Sequence, residues 1–71
     1  MRYHVNVVFS KDENGYYVST PDLPGCYSQG DTYEEARKNI QEAVELYLET
    51  MTPEEIKFSI NKEILTTTLE V

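Results

Sequence analysis

The residue that most invites a chemical interpretation is Cys26, the single cysteine, which follows Pro24-Gly25. A nucleophilic cysteine needs a base, a cation or a helix N-terminus that lowers its pKa. The single histidine, His4, falls on the predicted first strand, on the face opposite the apolar residues of that strand, and no second cysteine is present. We therefore interpret Cys26 as a small, partly buried hydrophobic residue after a turn.

Carboxylates suggest metal-dependent nuclease chemistry, which needs several acids projecting from rigid strands into one site. Asp12, Glu13 and Asp22 fall in predicted turns, where such residues stabilise the turn itself, and the predicted first strand, residues 3–9, carries no acid. One cysteine and one histidine are too few for the four ligands of a structural zinc site. The three glycines are isolated rather than grouped, so they do not form a phosphate-binding loop. The sequence predicts no catalytic residue, no metal and no cofactor, and hence no enzyme.

The charge balance points to the kind of partner. Thirteen acidic residues against six basic ones give a net charge of -7. An acidic surface repels phosphate backbones and favours a basic partner. The basic residues form no stripe, so we expect no direct nucleic-acid binding by this chain. The alternative, that acidity only maintains solubility, stays open.

Length limits the chain to one domain, residues 1–71. A domain of this size buries only about 60% of the surface of its unfolded chain. A disulfide is excluded by the single cysteine, which leaves oligomerisation as the means of added stability. No apolar run approaches the roughly 20 residues that span a bilayer, and residues 1–4 lead into a strand pattern rather than a signal peptide. We expect a cytoplasmic protein without membrane contact.

The first thirty residues predict three strands. Apolar and polar residues alternate over 3–9, Asn14-Gly15 is a strong hairpin signal, and residues 16–20 are rich in aromatic and β-branched side chains. Pro24-Gly25 suits the centre of a type II turn. Residues 26–30 then return as a third strand.

One long helix follows, and its start is the clearest signal in the chain. Thr32 and Glu35 have the spacing of a capping box. Apolar residues then recur every three or four positions to Met51, so one face packs on the sheet. The opposite face is charged, with Lys38 at i,i+4 spacing from Glu34 and Glu42.

The last third of the chain fits more than one set of elements. Thr52-Pro53 repeats the helix-start signal, and the pattern leaves open whether residues 52–63 form a short helix or a strand. Residues 64–71 are β-branched enough for a final strand. Such a strand either joins its own sheet or leaves an edge that pairs with another copy, which favours a homodimer or tetramer.

Read together, these features resemble the HicB-type antitoxin domain of bacterial and archaeal toxin–antitoxin systems. The resemblance covers roughly residues 3–50 and the final strand, and it depends on a Pro-Gly-Cys turn at a fixed distance from a Gly-x-Thr helix start. The motif residues are Pro21, Leu23, Pro24, Gly25, Cys26, Gly30, Thr32, Glu35 and Ala36. It implies an α+β fold in which a three- to four-stranded, mainly antiparallel sheet packs on one long helix (β-β-β-α-β, partial ribonuclease H-like) without catalytic acids.

The resemblance also implies a function. The expected role is an antitoxin that covers the active surface of a small, basic, mRNA-cleaving toxin of the HicA type. Many family members carry a DNA-binding module after this domain; this chain stops at Val71, so we do not expect it to repress transcription alone. The alternative is an oligomeric binding module of the same fold without a toxin. The predicted partner-binding residues are Asp22, Leu23, Tyr27, Glu42, Glu45 and Glu49.

Overall fold

A computed structural model describes residues 3–71; Met1 and Arg2, which entered the signal-peptide prediction, lie outside the described residues. The fold is α+β, as expected: three strands precede two helices. In chain order the elements are β1 (Val8–Asp12), β2 (Gly15–Ser19), β3 (Tyr27–Gly30), α1 (Tyr33–Glu49) and α2 (Pro53–Ile60).

The three strands form one antiparallel sheet in the order β1-β2-β3. The first strand begins at Val8 rather than at Tyr3 as predicted. Val8 pairs with Ser19, the last residue of β2. After Ser19 the chain turns away from β1, because the Thr20 amide donates to the Cys26 carbonyl (3.1 Å) and Pro21 has no amide hydrogen. Residues 3–7 therefore have no neighbouring strand to pair with.

A compact loop, residues 20–26, joins β2 to β3. The Cys26 amide donates to the Leu23 carbonyl at 3.0 Å, and Gly25 between them has φ +82°. That geometry is the predicted type II turn, whose third position requires a positive φ. The Leu23 amide donates to the Thr20 carbonyl (3.2 Å), so the loop is closed by its own backbone.

Helix α1 starts as the sequence predicts, with one difference in its cap. The Thr32 hydroxyl accepts from the Glu35 amide at 3.1 Å. The Glu35 carboxylate, however, accepts from the Asp31 amide (3.4 Å) rather than from Thr32. The complete reciprocal capping box occurs instead at the start of α2, between Thr52 and Glu55.

Gly30 allows α1 to lie directly on β3. A Cβ atom at this position would lie 2.5 Å from the Ala36 nitrogen and 2.9 Å from the Glu35 carbonyl carbon. Both are backbone atoms, which cannot rotate away as a side chain does. Further along, the Asn39 side chain donates to the Gln29 carbonyl at 2.8 Å. The start of α1 is thus fixed to β3 by close approach and by a hydrogen bond.

The core lies between one face of the sheet and α1. Its buried residues are Val18, Leu23, Cys26, Ala36 and Ile40, and partly buried apolar side chains surround them. Because successive side chains of a strand point to opposite faces, Phe9, Tyr16 and Val18 face α1, whereas their neighbours in β1 and β2 face away. The face of the sheet that is turned away from α1 carries neither helix.

The last third of the chain contains a second helix and lacks the predicted final strand. For residues 52–63 the sequence left a short helix and a strand open, and the structure has the helix α2, whose Ile56 is buried at 5% exposure. The predicted final strand, residues 64–71, has no strand assignment. Leu65 and Leu69 are each 84% exposed, so this segment has the strand pattern but no neighbouring strand among residues 3–71.

Candidate functional site

Asp22 and Leu23, predicted to form an exposed partner-binding corner, are buried. Their exposures are 2% and 0%. Asp22 Oδ2 accepts from the Asn6 amide (2.9 Å) and from the Asn6 side-chain nitrogen (3.2 Å). Leu23 belongs to the core cluster. The prediction of an exposed corner is therefore wrong: Asp22 fixes residue 6 to the loop, and Leu23 fills the core beneath it.

Cys26 is buried, as its interpretation as a hydrophobic residue predicts. It is 5% exposed and packs in the core with Val18 and Ile40. Burial raises the pKa of the Cys26 thiol, because desolvation disfavours the thiolate. A raised pKa is the opposite of what a nucleophile needs.

Tyr27 lies where the sequence predicts exposure. It is 74% exposed and lies opposite Ser19 in the sheet register, on the face turned away from α1. Tyr17, at 36% exposure, and Val8 lie on the same face and line a shallow cavity with it. We call this surface the outer sheet face, defined by Val8, Tyr17 and Tyr27.

Glu42, Glu45 and Glu49 lie on α1 and are all exposed. Their spacing of three, four and seven residues places them on one side of the helix, and Ala36 and Ile40 are buried on the other side. We call these three glutamates the acidic ridge. Only Glu45 has a side-chain partner among the described residues, Gln41, whose amide donates to it at 3.0 Å.

The six predicted partner-binding residues are therefore not brought together. Two are buried, Tyr27 is on the outer sheet face, and the acidic ridge is on α1, where Glu45 also lines a groove between the helix and residues 3–9. A single partner surface of ordinary size does not include both exposed sets, because the sheet and the helix separate them.

The motif residues have structural roles. The prolines, Leu23, Gly25 and Cys26 shape the 20–26 loop, which is tied to α1 by the Tyr47 hydroxyl donating to the Pro24 carbonyl at 3.0 Å. Gly30, Thr32, Glu35 and Ala36 form the junction between β3 and α1. The motif thus specifies how the helix packs on the sheet rather than a row of contact residues.

Neither a metal cluster nor a membrane-spanning helix is found in the described part of the chain. No group of three or more His, Cys, Asp or Glu side chains in residues 3–71 is arranged to hold a metal ion. Over the same residues, no helix has the length and apolar character needed to cross a bilayer.

Sequence reasoning missed two features. One is Asn6, whose side chain bonds both Asp22 (3.2 Å) and the Lys62 carbonyl (3.3 Å); nothing in its sequence neighbourhood signals this. The other is a groove of about 750 Å³ between residues 3–9 and α1, lined both by apolar side chains such as Val5 and Val44 and by polar ones such as Glu45. The period-two pattern of residues 3–9 predicts the apolar row that lines it, but not that this row is only partly buried.

These features define the class of the protein: a small α+β domain whose exposed candidate residues lie on a helix face and a sheet face. The family model described as the HicB-like antitoxin of bacterial toxin–antitoxin systems matches residues 3–69. The chain therefore belongs to the HicB-like antitoxin family.

Relatives occur in bacteria and archaea. A UPF0150 protein of Helicobacter pylori is 46% identical over 67 residues, which cover 94% of this chain and 93% of that protein. A UPF0150 protein of Synechocystis sp. is 49% identical over 53 residues (73% and 67%), and one of Thermoplasma acidophilum is 52% identical over 46 residues (63% and 67%). No solved structure matches the chain significantly.

Proposed function

We propose that this protein neutralises a small, basic, mRNA-cleaving toxin of the HicA type by direct contact. Membership of the HicB-like antitoxin family carries the proposal, because it implies a toxin partner and a non-enzymatic role. A net charge of -7 supports it, since a toxin that binds RNA presents a basic surface. An acidic protein on that surface competes with RNA for the same charges.

The acidic ridge is the surface we propose for the toxin. Glu42, Glu45 and Glu49 project from one rigid helix, and Leu46 beside them is 65% exposed. Carboxylates give fast, salt-dependent association, and an apolar side chain among them gives contact area once the partner has docked. Asp22 and Leu23 are buried, so we assign them the indirect role of holding the loop.

The experiment compares two variants with equal change in charge. Glu42→Gln/Glu45→Gln/Glu49→Gln removes the acidic ridge, whereas Glu13→Gln/Glu54→Gln/Glu63→Gln removes three exposed acids elsewhere. The toxin is the small basic protein encoded by an adjacent reading frame, and the readouts are its association rate and relief of growth arrest. We expect the ridge variant to associate at least about tenfold more slowly and the control to change by less than about threefold.

The possible results of this experiment distinguish the acidic ridge from the outer sheet face as the surface that binds the toxin. Equal slowing of both variants would mean that only the total charge matters, and it would refute the ridge. Unchanged binding by both, with loss in Tyr17→Ala/Tyr27→Ala, would place the toxin on the outer sheet face. The absence of any complex with the adjacent basic protein would favour the alternative function, a binding module of the same fold without a toxin.

The proposal includes three further elements. Self-association as a homodimer or tetramer follows from the exposed leucines after α2. The ribonuclease H-like topology is expected to be completed when the segment after α2 joins a sheet. A cytoplasmic location follows from the function, because the toxin's substrate is messenger RNA.

A further inference from the structure

Asn14 and Gly15 form a pair that the proposed function does not use. Asn14 is the second residue of the turn between β1 and β2, and Gly15 is the first residue of β2. The backbone amide of Asn14 is held, since it donates to Asp12 Oδ1 at 2.8 Å. Its side chain is exposed and has no hydrogen-bond partner among residues 3–71. The Asn14 carboxamide is therefore free to approach the backbone that follows it.

One reaction joins an asparagine side chain to the nitrogen of the next residue. After losing its proton, the Gly15 nitrogen attacks Cγ of Asn14, a five-membered succinimide ring forms, the Cγ–Nδ2 bond breaks and ammonia leaves. Water then opens the ring at either carbonyl. The products are aspartate and isoaspartate, and in isoaspartate the chain continues through the side-chain carboxyl group. Water is the only co-reactant that this sequence of steps requires.

The other asparagines lack the same conditions. They are Asn6, Asn39 and Asn61, which are followed by Val7, Ile40 and Lys62. Each of these following residues has a Cβ atom beside the nitrogen that would attack, whereas glycine has none, and the first two are branched there. The side chains of Asn6 and Asn39 are also held by hydrogen bonds to distant parts of the chain. Asn14 thus differs from all three in the space beside the nitrogen.

We propose that Asn14-Gly15 is a site of spontaneous covalent modification, at which Asn14 converts to aspartate and isoaspartate with release of ammonia. This inference goes beyond the antitoxin function and does not depend on a toxin. Either product adds one negative charge to the existing net charge of -7. The new carboxylate follows Asp12 and Glu13, and Asn14 lines the same shallow cavity as Asp31 and Glu35. The charge is therefore added where the surface is already acidic.

Isoaspartate also lengthens the backbone, and Gly15 has little room for this change. A Cβ atom on Gly15 would lie 2.9 Å from the Gly30 carbonyl oxygen and 3.7 Å from Asp31 Cα, so Gly15 lies against the chain that leads into α1. Gly15 also pairs with Asp12 at the end of the β1–β2 ladder. An isoaspartyl linkage inserts one extra backbone atom just before Gly15, which changes the hairpin register or moves Gly15 away from Gly30. We expect the isoaspartyl form to be less stable than the aspartyl form.

The test follows each asparagine separately in the full chain. The folded chain is incubated at physiological temperature and mildly alkaline pH, and is then cleaved after lysine and arginine. Each asparagine falls in a different peptide, and the peptide of residues 12–37 contains no asparagine other than Asn14. Conversion raises the mass of a peptide by about 1 Da, and chromatography separates the isoaspartyl from the aspartyl form. An unincubated sample corrects for conversion during cleavage.

We expect the peptide of residues 12–37 to convert at least about tenfold faster than the peptides that contain the other asparagines. Asn14→Gln is the matched control, because its longer side chain does not close a five-membered ring, and we expect it to stop the conversion. The position is exposed and Gly15 is unchanged, so the variant keeps the hairpin.

A second variant separates the added charge from the added backbone atom. Asn14→Asp has the charge alone, whereas the isoaspartyl chain isolated after incubation has both changes. In urea unfolding we expect the isoaspartyl chain to have a lower midpoint than Asn14→Asp, and an equal midpoint would refute the backbone effect.

Two other results would overturn the modification site itself. If the peptide of residues 12–37 stays unchanged in the folded chain but converts in the chain unfolded in urea, the hairpin blocks the attack. If all four asparagines convert at equal rates, Gly15 gives Asn14 no advantage.

Discussion

Replacing Asp22 by alanine tests the structural role that its burial assigns to it. Asp22 Oδ2 accepts two hydrogen bonds, from the Asn6 amide at 2.9 Å and its side-chain nitrogen at 3.2 Å. Hydrogen bonds to charged groups contribute about 1.5–3 kcal/mol each. Asp22 Oδ1, however, is buried with no partner among the described residues, which costs about 1–3 kcal/mol. The bonds outweigh this cost, so we expect Asp22→Ala to lower the free energy of unfolding by about 2–3 kcal/mol.

That loss is large for this chain, because 71 residues correspond to a total stability of roughly 4–10 kcal/mol. The assay is urea unfolding followed by circular dichroism, with Asp12→Ala as the matched control. Asp12 accepts one exposed bond, from the Asn14 amide at 2.8 Å, so we expect a loss of less than about 1 kcal/mol. Equal midpoints for the two variants would refute the argument that Asp22 anchors residue 6.

Four further predictions concern the helix junction and the thiol. Gly30→Ala should lower the free energy of unfolding in urea by about 3 kcal/mol, because its Cβ would meet backbone atoms of α1. At the exposed neighbour, Gln29→Ala should lower it by less than about 0.5 kcal/mol. Similar losses in the two variants would contradict the close approach of α1 to Gly30. Thr32→Ala should cost about 1 kcal/mol by removing the cap of α1, and an unchanged midpoint would show that the cap is not needed. Cys26 should react slowly with a thiol reagent until urea unfolds the chain. As pH rises past the ordinary cysteine pKa of about 8.5, the thiol loses its proton in the unfolded chain before it does in the folded chain, where burial raises its pKa. The free energy of unfolding should therefore fall with rising pH. An equal fall in Cys26→Ala would show that the thiol is not its cause.

Local sequence signals predicted most of the elements correctly because their determinants are local. The hairpin forms as predicted, although its turn residues are Glu13 and Asn14, and Gly15, at φ +139°, is the first residue of β2. Pro24-Gly25 forms the turn with φ +82°, and Thr32 caps the start of α1. Each is a short-range steric or hydrogen-bonding preference that needs no knowledge of distant residues. The interpretation of Cys26 as a core residue also followed from local reasoning, since no base accompanies it.

The errors concern contacts between distant parts of the chain. Asp22 looked like a turn residue at the surface, and its burial depends on Asn6, sixteen positions away. Residues 64–71 have the pattern of a strand, but a pattern does not supply a neighbouring strand to pair with. Whether Ile56, Phe58 and Ile60 belonged to a strand or a helix was ambiguous by spacing alone. The capping box of Thr52 and Glu55 places them in a helix, with Ile56 buried.

The antitoxin function is tested by co-purification of this chain with the basic protein of an adjacent reading frame, combined with an mRNA-cleavage assay of that protein. We expect a stable complex that weakens with salt, in which cleavage stops when this chain is present at equal or greater amounts. We also expect that Glu42→Gln/Glu45→Gln/Glu49→Gln requires a large excess to stop cleavage, while Glu13→Gln/Glu54→Gln/Glu63→Gln behaves as the wild type. Cleavage that continues undiminished with a folded, saturating chain would contradict the antitoxin function.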